Sequence, residues 1–83
     1  MTTLHSTSQL GHVIRASRKQ LNLTQSQLAL AAGVGLRFIV DLEAGKPTLR
    51  LINVLRVIQT LGGELSLTGL PMTSEGGRDD TPA

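Results

Sequence analysis

The stretch Thr24–Gly45, TQSQLALAAGVGLRFIVDLEAG, decides the fold. Thr24-x-x-Gln27 is a capping box, in which the Thr hydroxyl meets the N–H at Gln27 and the Gln27 side chain reaches back. A helix therefore starts after Thr24. Leu28 and Ala32 share its inner face, with Ala29 beside them, where a methyl group is what a close helix crossing requires. Gly33 follows at the turn, which calls for a positive φ that glycine adopts without steric cost. Val34, Ile39 and Leu42 anchor a next helix over roughly 36–44, with Gly45 as its C′ residue and Pro47 preventing continuation. The offsets of Gln25, Ala29, Gly33, Ile39 and Leu42 suit two helices crossing at roughly 90–120° over a 3–4-residue turn. The second helix of such a pair fits a DNA major groove.

Working outward, residues 1–7 carry no periodicity and are expected to form a flexible arm. Ser8 can cap a first helix, along which Leu10, Val13, Ile14, Ser17 and Leu21 make one stripe expected to be buried. Arg15, Arg18 and Lys19 lie off that stripe, either on a solvated face or facing phosphate. Asn22, which tolerates the left-handed conformation, ends the helix. On the far side, Thr48 is expected to cap a fourth helix reaching about Leu61. Its apolar positions, Leu49, Leu51, Ile52, Val54, Leu55, Val57, Ile58 and Leu61, cover more than the roughly 100° stripe of a half-exposed helix. The helix is then either central in the core or buries a second face against another chain, and in so small a domain the second is favoured.

Gly62-Gly63 break that helix, and Glu64–Thr68 alternate strictly, as a short half-buried strand does. An unpaired strand is unstable alone. Pairing with the same strand of a second subunit across a two-fold axis resolves this; the other reading is an extended segment lying on its own domain. The expected dimer contact comprises Val54, Val57, Ile58 and Leu61 with Leu65 and Leu67. The resulting division is an arm at 1–7, a helical domain at 8–62, a dimerisation strand at 63–70 and a disordered tail at 71–83.

Eighty-three residues make one domain with a modest core. No cysteine is present, which removes disulfides and thiolate metal sites. The apolar runs are too short and interrupted for a membrane span, and the first ten residues lack a signal peptide's pattern, so a cytoplasmic location is expected. Residues 1–74 carry seven Lys or Arg against three acids, whereas the last nine carry one against three. A basic body with an acidic end suits a polyanion. Phe38 is the only aromatic residue, which disfavours base-stacking single-strand binders and leaves duplex DNA.

On these residues the chain resembles the Cro/repressor-type (XRE) helix-turn-helix family over roughly residues 8–62, carried by TQSQLALAAGV and then Ile39, Leu42, Glu43 and Gly45. Within it, SQLGHVIRASRKQLNLTQSQLA and RFIVDLEAGKPT resemble HipB-like antitoxins of the Y4mF type. The resemblance implies an all-α, four-to-five-helix lambda-repressor-like domain, with a short C-terminal β-strand pairing across a homodimer. It also implies an antitoxin that represses its own operon and neutralises a HipA-type serine/threonine kinase toxin. A stand-alone XRE or phage-type repressor, and an interaction module of this fold without DNA binding, are the alternatives.

For DNA contact, Gln25 and Ser26 sit where free N–H groups and the helix dipole favour a phosphate. Arg37 can reach guanine O6 and N7 bidentately, or else hold a phosphate. Lys46 and the Thr48 N–H are placed to clamp phosphate beyond the recognition helix, with Arg18 and Lys19 as further candidates. Gly35 and Leu36 stand at the DNA-facing start of that helix but offer little: Gly35 has no hydroxyl, and Leu36 can only meet a thymine methyl group. Specificity then leans on Arg37 and on DNA shape. Asp41 is expected to avoid phosphate, Glu43 to pair with a first-helix base such as Arg18, and Phe38 to prefer the core over the groove. His5 and His12 form no metal-ligand pair, and no residue context positions a nucleophile, so neither catalysis nor a metal or other cofactor is expected.

Overall fold

A computed structural model describes residues 3–71. Among these residues four helices follow one another: α1 (Thr7–Gln20), α2 (Gln25–Ala32), α3 (Leu36–Glu43) and α4 (Leu51–Thr60). Every one of them closes in the same way. The chain turns through a left-handed residue, and the N–H of the residue after it returns to a carbonyl five positions back, as in Leu23 to Arg18, Val34 to Ala29, Lys46 to Asp41 and Gly63 to Ile58. The left-handed residue of α1 is Asn22, at φ 59°. At α2 it is Gly33, at φ 73°, where a side chain would be strained and the turn into α3 lost.

The core is built from Ile14 of α1, Leu28 and Ala29 of α2, Ile39 and Leu42 of α3, and Val54, Val57 and Ile58 of α4. Leu28, Ile39, Leu42 and Val57 are its fully buried large side chains. α3 is thus held from two sides, by α1 and by α2, and α2 also packs on α4. Removing a buried Leu or Ile side chain at this centre costs about 2–5 kcal/mol.

α1 meets the end of α3 at glycine distance. A Cβ on Gly11 would lie 2.6 Å from the Leu42 carbonyl oxygen and 2.7 Å from that of Glu43. One helical turn earlier, the Thr7 hydroxyl donates to the Gly45 carbonyl at 2.7 Å. The exit of α3 is therefore fastened to the start of α1.

The capping box at Thr24 and Gln27 forms in full. Phe38 is half-buried and packs against the core. Four expectations need correction. The first helix is capped by Ser6, whose Oγ accepts from the Gln9 N–H at 3.1 Å, so its cap lies two residues before Ser8. Leu21 does not join the buried stripe; it is the C-cap residue, where the chain leaves the helix axis, and is 52% exposed. Thr48 caps nothing, because Leu49 folds in against the core and delays the start of α4 to Leu51, with Arg50 at the N-cap and no side-chain cap. Lastly, Val54, Val57 and Ile58, expected to meet a second subunit, lie in the chain's own core, and Leu61 is partly buried against it.

α4 does have a second apolar face, but it is a different one. Leu51 and Ile52 are exposed and Leu55 half-exposed, on the side of the helix away from Val57. Residues 63–68 form no strand within the single chain, and Leu65 and Leu67 are exposed. Apart from Pro71, the expected tail at 71–83 lies outside the described residues. No helix among the described residues is long and apolar enough to cross a membrane.

Candidate nucleic-acid interface

The turn at Gly33–Gly35 joins the carboxyl end of α2 to the first turn of α3, while the amino end of α2 meets the last residue of α3 through Gln25 and Glu43. Thr24 and Ser26 are exposed at the start of α2. Gly35 is the N-cap of α3, at φ −73° and ψ 154°, and no side chain caps the helix there. Leu36 is 47% exposed. Arg37, next along, has a side chain 84% exposed, the freest of the charged groups on this helix. Lys46 and Thr48 are exposed beyond the carboxyl end of α3.

Two ion-pair networks stem from α3, one on each side. The inner one starts at Glu43, whose carboxylate is 5% exposed. Arg18 donates to it twice, from Nε to Oε2 at 2.6 Å and from Nη2 to Oε1 at 3.0 Å. The Arg18 Nη1 donates to the Leu23 carbonyl at 2.8 Å. Gln25 Nε2 also donates to Glu43 Oε1, at 3.2 Å. One carboxylate thus ties α1, the α1–α2 connection and the first residue of α2 to the end of α3. The fork of a guanidinium on a carboxylate is the strong form of this contact. Its hydrogen bonds to Glu43 raise the Arg18 guanidinium above its ordinary pKa; burial works the other way, and the Glu43 charge reinforces the rise.

The outer network centres on Asp41. Its Oδ1 lies 3.2 Å from Arg37 Nε and its Oδ2 lies 3.6 Å from Lys46 Nζ. The Asp41 side chain is 16% exposed, against 84% and 50% for the two cations. A half-buried acid thus sits behind two exposed bases.

The residues singled out from the sequence divide accordingly. Ser26, Gly35, Leu36, Arg37, Lys46 and Thr48 lie exposed around the two ends of α3 and the start of α2. Gln25 is half-buried and oriented by Glu43, with its second amide hydrogen free of that bond. Arg18 is the exception: it faces inward, 8% exposed, with its guanidinium taken up by Glu43 and Leu23, and offers nothing to a phosphate. The expected Glu43 pairing is the one that forms. Lys19 is exposed, and with His12, Arg15 and Ala16 it lines a shallow groove along the outer side of α1. Asp41, expected only to avoid phosphate, lies within ion-pair distance of both Arg37 and Lys46. Its signal was present, an acid four residues after Arg37 and five before Lys46, and the second spacing becomes a contact only once the helix has turned back at Gly45.

Among the described residues no group of His, Cys, Asp or Glu is placed to hold a metal. The helix-turn-helix family profile matches residues 14–67. The chain is 57% identical over 58 residues to the uncharacterized HTH-type transcriptional regulator y4mF of Sinorhizobium fredii, which covers 70% of this chain and 76% of that protein. It is 42% identical over 52 residues to an uncharacterized HTH-type transcriptional regulator of Methanothermobacter thermautotrophicus, covering 63% of this chain and 75% of the other. Among solved structures, HipB in a HipB–O1–O2 complex superposes with a TM-score of 0.76 at 25% identity, over 83% of this chain and all of HipB. A chain of a HipA–HipB–O2–O3 complex superposes equally well, with a TM-score of 0.76 at 25% identity, over 83% of this chain and 97% of its own length. With its capped α2, its glycine turn and the exposed first turn of α3, this chain belongs to the helix-turn-helix family, as an XRE-type transcriptional regulator.

Proposed function

We propose that the protein is a dimeric repressor that reads a palindromic DNA operator with α3 and partners a HipA-type kinase toxin. The observation that carries the DNA reading is the position of Arg37. It projects from the first turn of α3, 84% exposed, on a helix whose far end is tied to the amino end of α2 by the Gln25–Glu43 hydrogen bond. Backbone N–H groups at that end, with Gln25 held in place by Glu43 and Ser26 alongside, bind a phosphate and set the docking angle. Arg37 then enters the groove and takes guanine O6 and N7. Leu36 meets a thymine methyl group, Gly35 lets the backbone approach, and Lys46, Thr48 and Lys19 hold flanking phosphates.

Dimerisation follows from the apolar surface that the single chain leaves uncovered. Leu51, Ile52 and Leu55 on α4 and Leu65 and Leu67 beyond it form the contact, with residues 64–68 pairing as strands across the two-fold axis. Two copies of α3 are then presented to successive major grooves about 34–36 Å apart. Leu61 closes the edge between this contact and the core. The HipA-type partner rests on the likeness to HipB, which occurs in a HipA–HipB–O2–O3 complex. The regulator works in the cytoplasm, on the nucleoid when bound to its operator.

Selection of random duplexes by the purified full chain tests this reading. The expected product is an inverted repeat whose half-sites are one turn of DNA apart, bound by two chains. A pool that stays unenriched, or a monomer at micromolar concentration in sedimentation, contradicts it.

A further inference from the structure

We propose that Asp41 is the positioning residue for base discrimination: it holds Arg37 and Lys46 in one triad and fixes the edge that Arg37 presents to the groove. This rests on the DNA reading above and adds a residue that touches no DNA.

The two carboxylate oxygens are divided between the two cations, Oδ1 to Arg37 Nε at 3.2 Å and Oδ2 to Lys46 Nζ at 3.6 Å. Asp41 is the fixed member of the three. Its side chain is short and 16% exposed, whereas Arg37 and Lys46 are long, and 84% and 50% exposed. The backbone reinforces the arrangement. The Lys46 N–H donates to the Asp41 carbonyl at 3.0 Å, and Gly45, at φ 85°, makes the turn that permits it. Lys46 therefore starts from a point set by the same residue that holds its ammonium group. With the Asp41 charge at its Nε edge, the guanidinium keeps its two terminal nitrogens turned to the groove, and these are the pair that matches guanine O6 and N7. A freely rotating arginine loses side-chain entropy when it reads a base; one drawn to a carboxylate that is itself fixed has already lost part of it.

A carboxylate on a DNA-facing helix also repels phosphate, and the two effects predict opposite outcomes for Asp41→Asn. The experiment uses the full chain and its selected operator, with a second duplex in which the guanine read by Arg37 is replaced by adenine. The wild-type protein prefers the guanine site by about tenfold or more, the range of one bidentate contact. In Asp41→Asn that preference falls to about threefold or less, while affinity for unrelated DNA is unchanged or higher. In an Arg37→Ala background Asp41→Asn changes the preference no further. The melting temperature of Asp41→Asn stays within a few degrees of wild type, because a pair whose bases remain in water contributes little to folding. Tighter binding to every duplex with the guanine preference intact overturns the positioning role and leaves simple repulsion. A wild-type protein that selects no sequence overturns the DNA reading itself, and the triad with it.

Discussion

Two acids two positions apart on α3 meet two arginines, and their surroundings give the pairs different work. Glu43 faces inward at 5% exposure and receives Arg18 in a fork, with Gln25 added. Asp41 faces the edge of the helix and receives Arg37, which is 84% exposed, together with Lys46. The first pair has left water and cannot be half-removed without stranding a charge. The second keeps its bases in water, so it adds little stability and leaves them available to a polyanion. The chemistry of the partners is the same, and the difference is burial. The inner network fixes where α2 and α3 stand; the outer one, on our reading, fixes what they present.

The inner network loses most at Arg18. Arg18→Ala leaves the Glu43 carboxylate buried without its partner and should destabilise the fold by about 3–5 kcal/mol, read as a lower urea midpoint with unchanged slope. Replacing both partners by apolar residues, Arg18→Met with Glu43→Leu, should recover most of that loss. Gly11→Ala tests the same α1–α3 junction without touching charge. Its new methyl group would lie 2.6 Å from the Leu42 carbonyl. Overpacking of about 1–3 kcal/mol outweighs the gain of about 1 kcal/mol in helix propensity, so the midpoint should fall by less than in Arg18→Ala.

On the outer network the expected effects move from stability to binding. Lys46→Ala should leave unfolding within about 0.5 kcal/mol of wild type and weaken operator and unrelated DNA alike. It should also reduce the slope of log affinity against log salt by about 1. The smallest effect is at Gly35, where a Cβ meets nothing within 4 Å and the backbone already has N-cap geometry. Gly35→Ser should cap α3 and raise the melting temperature by about 2 °C, from a few tenths of a kcal/mol. A loss of stability there would mean that the glycine is needed for a reason the backbone does not display.

Most of the fold was readable because its signals are local. A capping box needs only Thr24 and Gln27, and the left-handed turns at Asn22, Gly33 and Gly45 need only a residue that tolerates positive φ. The Arg18–Glu43 pair was accessible as well, since two helices known to cross bring a base and an acid together. What escaped depends on neighbours. Ser6 and Ser8 are chemically equal as caps, and the choice is made where α1 docks against Gly45. α4 carries apolar residues around most of its circumference, so periodicity could not say which arc faces inward. Packing against α2 took Val54, Val57 and Ile58 and left Leu51 and Ile52 outside. The apolar residues left in water on α4 are therefore Leu51 and Ile52, not Val54, Val57 and Ile58. Asp41 reads from sequence only as an acid that avoids phosphate; its place between two bases depends on the turn at Gly45, which brings Lys46 back to it.

DNA reading by Arg37 depends on a helix that the inner network holds. Titration of the selected operator with the wild-type chain and with Arg37→Ala tests this most directly, with urea unfolding of both proteins as the control. The predicted result is a loss of about 1–3 kcal/mol in operator binding and of discrimination at one base pair in each half-site, with unfolding unchanged. Equal affinity and equal discrimination for the two proteins would contradict it.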